Sequence, residues 1–164
     1  MFLNAEEVTS DIKKRSIEMS GEIFATEAAP DQMQASEENF EKLKFLDPNT
    51  LLYEVIEGDL AAGVGVGPTS LETMEAFLSH QISAQKLLDI TEKQDQYPSL
   101  YLCAAAVLPQ YRRQGIAMKL LKEVITRMST TKDVLLYAWP TSSEGRSLVE
   151  KFKKETGKVI RIRE

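Results

Sequence analysis

The 164-residue chain has one cysteine, Cys103, one histidine, His80, and one tryptophan, Trp139. A single cysteine excludes an intrachain disulfide. With only one histidine beside it, a Cys/His zinc cluster is excluded as well, and no metal is expected. Long apolar runs are also missing: no window approaches the roughly eighteen consecutive apolar residues of a membrane span, and residues 1–7 lack the basic and apolar regions of a signal peptide. The chain is therefore expected to be cytoplasmic, with no membrane partner. There is no excess of positive charge. The net charge of −5 gives no general attraction to nucleic acid or to an anionic surface. What is present, 43% hydrophobic and 27% charged residues, is the composition of one globular domain over residues 1–164, large enough for its own core.

Periodicity supplies the order of elements. Val8, Ile12, Ile17, Ile23 and Phe24 lie near helical spacing, which predicts a helix from Ala5 to about Glu27, with Gly21 as a point of division and a loop around Pro30. Ser36 is the expected N-cap of a second helix that Asp47-Pro48-Asn49 ends. The apolar runs 51–56 and 60–66 flank Glu57-Gly58-Asp59, which reads as a hairpin. Between about 69 and 98 the spacing of Leu71, Met74, Phe77, Leu78 and Ile82, then Leu87, Leu88 and Ile90, predicts one or two helices. Residues 100–107 read as a buried strand, which Pro109 stops because it has no N–H for the ladder. The amphipathic helix that follows carries Ile116, Leu120, Leu121, Val124, Ile125 and Met128 on one face. Residues 133–139 form another strand. A helix opening at Ser142-Ser143-Glu144 follows, with Leu148, Val149 and Phe152 as its apolar face, then a stop at Gly157 and a last strand over 159–163. The class is α/β, with helices on both faces of a mixed sheet.

The junction Val107-Leu108-Pro109-Gln110-Tyr111-Arg112-Arg113-Gln114-Gly115-Ile116-Ala117 joins strand to helix through a basic turn. N–H groups in a first helical turn have no intrahelical partners, and the helix dipole adds partial positive charge there, so a phosphate can accept several hydrogen bonds at once. Residues 112–117 are read as that turn. Gly115 removes a side chain from the approach, Ala117 keeps the next one small, and Arg112 and Arg113 add charge suited to phosphate oxygens.

Arg112-Arg113-Gln114-Gly115-Ile116-Ala117 resembles the R-x-x-G-x-[GA] signature of the GNAT-type N-acetyltransferases, and Val107, Pro109 and Tyr111 match the residues that usually precede it. The resemblance implies a mixed, mostly antiparallel sheet with a helical insertion between strands three and four. It also implies acetyl-CoA as co-substrate. Its pyrophosphate would be wrapped by the backbone of Arg113, Gln114, Gly115, Ile116 and Ala117, with Arg112 also cofactor-binding through its charge, and its pantetheine amides paired with the strand through Ala105 and Val107. The cofactor-binding strand, turn and helix would span about 100–128. The first strand of that fold is expected to be vestigial or missing, since only Met1-Phe2-Leu3 precedes the first helix. Dimerisation is common in the family, and a homodimer is one expectation for this chain.

Acetyl transfer to an amine needs a neutral amine, a polarised thioester oxygen and a proton for the departing thiolate. A backbone N–H near residues 103–106 would serve the second need. A frequent proton donor in the family is a tyrosine on the helix after strand five; here Phe152 stands near that place, so the candidates become Tyr137, Tyr111, a water or no residue at all. Ser143 stands in for the asparagine that often binds pantetheine, or else caps the helix. Glu54, Glu57, Glu75 and His80 are the candidate bases. Cys103 reads as a small buried hydrophobe, because no histidine or carboxylate motif accompanies it. Among Lys151, Lys153, Lys154, Arg161 and Arg163, one lysine is a candidate for the 3′-phosphate of coenzyme A, and the rest read as a solvated face. The function expected is direct N-acetyl transfer from acetyl-CoA to a small-molecule or peptide amine. The alternatives are a catalytically weak acyl-CoA-binding or regulatory module of the same fold and a nucleotide-binding α/β protein.

Overall fold

Side chains alternate across a strand, and here the two faces of the sheet receive different residues. Leu52, Val64, Leu100, Leu136 and Ala138 join one apolar cluster, while their neighbours Tyr53, Tyr101 and Tyr137 join others on the opposite face. The computed structural model describes residues 1–24, 31–130 and 133–164. Its strands are β1 (Phe2–Asn4), β2 (Leu51–Ile56), β3 (Asp59–Thr69), β4 (Ser99–Val107), β5 (Leu135–Ala138) and β6 (Ile160–Ile162). They form one sheet in the order β1-β2-β3-β4-β5-β6. The first three pairings are antiparallel, and β4–β5 and β5–β6 are parallel.

Helices cover both faces. α5 (Ile116–Met128) and α6 (Ser143–Thr156) pack over the first cluster. α1 (Ser10–Phe24), α2 (Glu37–Leu46), α3 (Leu71–Leu78) and α4 (Ala84–Ile90) cover the other face. The first strand, expected to be vestigial or missing, is present as a short β1 in register with β2, Phe2 opposite Glu54 and Asn4 opposite Leu52. The first helix begins at Ser10, not Ala5, because Asn4 accepts from the N–H groups of Glu6 and Glu7 in a turn that precedes it. It passes through Gly21 without division. The expected end of that helix at Glu27 and the loop at Pro30 lie outside the described residues. Two helices, α3 and α4, stand between β3 and β4.

Two irregularities shape the centre of the sheet. Along β3–β4, Val66 pairs with Leu102 but Gly65 pairs with Ala104, so Cys103 is an extra residue that bulges from the ladder. Along β4–β5 the pairing stops at Leu102 opposite Ala138, although β4 stays paired with β3 as far as Val107. Beyond Ala138 the chain leaves through Trp139 and Pro140, and proline cannot continue a ladder. The edge of residues 103–107 that faces β5 is therefore left without a strand partner.

Candidate functional site

The unpaired edge of β4 leads straight into the basic turn. The Leu108 N–H donates to the Ala61 carbonyl on β3 at 2.9 Å. Because antiparallel residues alternate in the direction of their polar groups, Val107 and Ala105 point their N–H and C=O groups away from β3, toward the opening. From that side the Arg112 Nε donates to the Val107 carbonyl at 3.0 Å. Pro109–Tyr111 then form a single 3₁₀ turn, and Arg112 closes it with an N–H bond to Pro109.

Helix α5 begins at Ile116, so the first turn is shorter than the expected 112–117. Arg113 (φ 65°) and Gly115 (φ 74°) are both left-handed, a conformation that glycine adopts freely and arginine only at some cost. Gly115 occupies the N-cap and supplies no side-chain acceptor. Helices α2, α3, α4 and α6 are capped by Ser36, Ser70, Ser83 and Ser142. The leading N–H groups of α5 have no such internal acceptor, and a ligand anion meets that need.

These residues line a cavity of about 150 Å³: Val107, Tyr111, Arg112, Arg113, Gly115, Ile116, Ala117 and Met118 on one side, with Leu148 and Lys151 of α6 on the other. Among the described residues, none of Arg112, Arg113 and Lys151 takes part in an ion pair. Three uncompensated cations thus surround the cavity in a chain whose net charge is −5. A Cβ built on Gly115 would meet no atom within 4 Å, so the backbone there is open to close approach. Cavity, free amides and cations fit a phosphate-bearing cofactor.

Other candidates lie elsewhere. Gln114 is exposed and does not line the cavity. Ala105 lies deeper along β4, packed against the α5 side of the core. Ser142, not Ser143, caps α6; the Ser143 hydroxyl is exposed and donates to Glu144 at 3.2 Å. Tyr137 has no exposed surface. Its hydroxyl lies 2.6 Å from Thr69 Oγ1, which also bonds Ser99, and its ring stacks 5.4 Å from Tyr101; burial pushes its pKa well above the usual range. It sits opposite Tyr101, inside the paired part of the sheet rather than at the opening. Phe152 is 1% exposed and belongs to the main core. Burial pushes the Cys103 thiol up to about 12, which keeps it protonated and non-nucleophilic at neutral pH.

The four candidate bases are not brought together. Glu54 lies on β2 in an ion pair with the Met1 amino group, 3.1 Å. Glu57 occupies the β2–β3 turn with φ 51°. Glu75 on α3 is paired with Arg161, which holds its carboxyl below the usual range. His80 follows α3, exposed and left-handed, rather than lying within a helix. Met118 aside, Lys151 and Leu148 are the lining residues that sequence reasoning did not single out from their neighbours. Their i, i+3 spacing marks one face of α6, but which face meets the turn depends on how α6 packs on the sheet.

A family model described as "Acetyltransferase (GNAT) domain" matches residues 88–150, the stretch from the end of α4 through the basic turn to the middle of α6. No curated protein matches the chain significantly. Among solved structures, a diaminobutyrate acetyltransferase from Paenibacillus lautus, in complex with L-2,4-diaminobutyric acid and coenzyme A, aligns with TM-score 0.58 and 15% identity over 96% of this chain and 76% of that one. A GNAT-like decarboxylase in complex with isobutyryl-CoA aligns with TM-score 0.57 and 13% identity, covering 98% and 79%. An aminoglycoside acetyltransferase from an uncultured soil metagenomic sample gives 0.55 and 15%, covering 97% and 90%. At these identities the likeness is one of fold. Among the described residues, no helix is long and apolar enough to cross a membrane.

Proposed function

From a chain with the GNAT fold and a GNAT domain match across its basic turn, we propose an N-acetyltransferase, acting as one domain, that moves an acetyl group directly from acetyl-CoA to a small-molecule or peptide amine. The observation that carries this reading is the continuity of the site. A cluster of cations and free amides at the start of α5 opens onto the unpaired edge of β4, and that edge ends at the Cys103 bulge.

Each part has its own role. The amides of residues 115–118, with Arg113 and Lys151, hold phosphate, while Ala105 and Val107 offer strand-like hydrogen bonds to the amides of the pantetheine arm. Arg112 fixes the end of β4 through the Val107 carbonyl and adds charge. The thioester of acetyl-CoA supplies an activated acetyl group. A backbone N–H at the bulge, freed from the ladder, polarises its oxygen without a side chain. On this reading the amine enters in its neutral form. The second reading, a weak acyl-CoA-binding or regulatory module, draws on the decarboxylase neighbour, because one fold hosts several chemistries.

The test is thermal stability with acetyl-CoA, ATP or NAD, followed by thiol release with an amine panel. At a hundred times Kd, acetyl-CoA is expected to add about 2.7 kcal/mol and raise Tm by roughly 5–10 °C, with no comparable shift from ATP or NAD. Equal shifts from all three would reject CoA selectivity, and selective binding without turnover on any amine would favour the regulatory module.

On this reading Tyr137 is a core hydroxyl and solvent protonates the departing thiolate. Tyr137→Phe is expected to leave kcat within about twofold, and to cost about 1 kcal/mol because Thr69 keeps its bond to Ser99. A tenfold fall in kcat at unchanged acetyl-CoA affinity would instead make Tyr137 the proton donor.

A further inference from the structure

Arg163, expected on a solvated basic face, is 7% exposed. Its backbone N–H donates to the Ala138 carbonyl at 2.9 Å, so the residue is fixed to the end of β5, beside Trp139. The guanidinium carbon lies 4.3 Å from the centre of the Trp139 ring and 4.5 Å from that of Phe77. The two rings meet nearly edge to face, at 72° and 6.1 Å, and the guanidinium fills the corner between them. Nη1 donates to the Ile82 carbonyl at 2.9 Å. Nε is buried and, among the described residues, has no hydrogen-bond partner.

A guanidinium stays charged at any ordinary pH, and removing it from water is costly unless a carboxylate or several acceptors replace the water. Two rings and one neutral carbonyl are partial replacement. Among the described residues no acid pairs with Arg163; Glu75 on the neighbouring helix is taken by Arg161. The corner therefore lacks one negative charge. It stands at the end of β5: β4–β5 pairing ends at Leu102 and Ala138, and Trp139, which follows Ala138, lays its ring against the guanidinium.

We propose that Arg163 binds a carboxylate carried by the acceptor amine, through the fork edge that includes Nε, beside the rings of Trp139 and Phe77. A singly charged carboxylate matches one fork. A phosphate dianion would call for a second cation, and Arg161 is already neutralised by Glu75. Naming the ligand as the acceptor rests on the acetyltransferase reading; the carboxylate site itself does not.

Trp139 is the only tryptophan, so its emission reports directly on this corner. The full chain, with and without acetyl-CoA, is titrated with the common L-α-amino acids, each paired with the amine left after its carboxylate is removed. At least one amino acid is expected to change Trp139 emission saturably and at least tenfold more tightly than its paired amine. In Arg163→Gln that preference should vanish while acetyl-CoA affinity stays within twofold of wild type. If the amines bind as tightly as the amino acids, if nothing saturates, or if the preference survives in Arg163→Gln, the proposal is overturned. The wild-type comparison decides the matter even where the variant does not fold. Failure of acetyl-CoA to bind, with the carboxylate preference intact, would reject the transferase reading and leave the carboxylate site standing.

Discussion

Gly115→Glu is expected to weaken acetyl-CoA binding by at least about 100-fold, equivalent to about 2.8 kcal/mol, while the chain stays folded. Gly115 lines the cavity, and a Cβ there meets no atom within 4 Å. A new side chain at this position therefore stands in open space beside the cavity without colliding with the protein. It brings negative charge to the place where Arg112, Arg113 and Lys151 gather positive charge, and it covers the leading amides of α5. The cost to the fold is local: at φ 74° a non-glycine residue costs about 1–2 kcal/mol, against a typical total of about 5–15 kcal/mol. Gly115→Ala carries the same backbone cost without charge or length, so the difference between the two variants isolates the effect on the ligand. Calorimetric titration with acetyl-CoA, alongside circular dichroism, makes the measurement. A folded Gly115→Glu that binds within threefold of wild type would move the phosphate site away from this turn.

The second large effect is on stability. Phe152→Ala should cost about 3–5 kcal/mol and lower Tm by on the order of 10 °C, because the ring is 1% exposed in the cluster that joins α5, α6 and the sheet. Below the melting range the variant should retain kcat, since Phe152 contributes packing and not proton transfer. Phe152→Tyr is the informative companion. It restores the residue type common in the resembled family, yet here it places a hydroxyl in an apolar core, costs about 1–3 kcal/mol and should bring no gain in turnover. Thermal melts and steady-state rates measured together separate these outcomes. A Phe152→Tyr variant that melts with wild type and turns over faster would show that the ring faces the site.

Several features of the site were readable because their chemistry is local. Gly115 and its basic neighbours mark a basic, glycine-capped helix start through residue types at fixed spacing. Pro109 and Pro140 mark strand ends because proline lacks a donor. Other features were not readable. Ser142 and Ser143 are chemically alike, and only the path of the backbone selects Ser142 as the cap. Tyr137 looked available as a proton donor, but its hydroxyl turns toward Thr69, 68 residues away in sequence. The opening beyond Ala138 depends on where two strands far apart in sequence stop pairing, and no local pattern records that. His80 matched a helical period that α3 leaves at Leu78.

The sequence by itself determined the α/β order of elements, the basic turn before α5 and the absence of a Cys/His zinc cluster, because each follows from periodicity, backbone chemistry or residue counts within short stretches. Only the tertiary structure decided that Lys151 faces the turn, that Cys103 bulges from β4 and that Arg163 is buried beside Trp139. These depend on how α6, β3 and β6 come to lie against segments distant in sequence, and long-range packing sets a side chain's neighbours and its access to water.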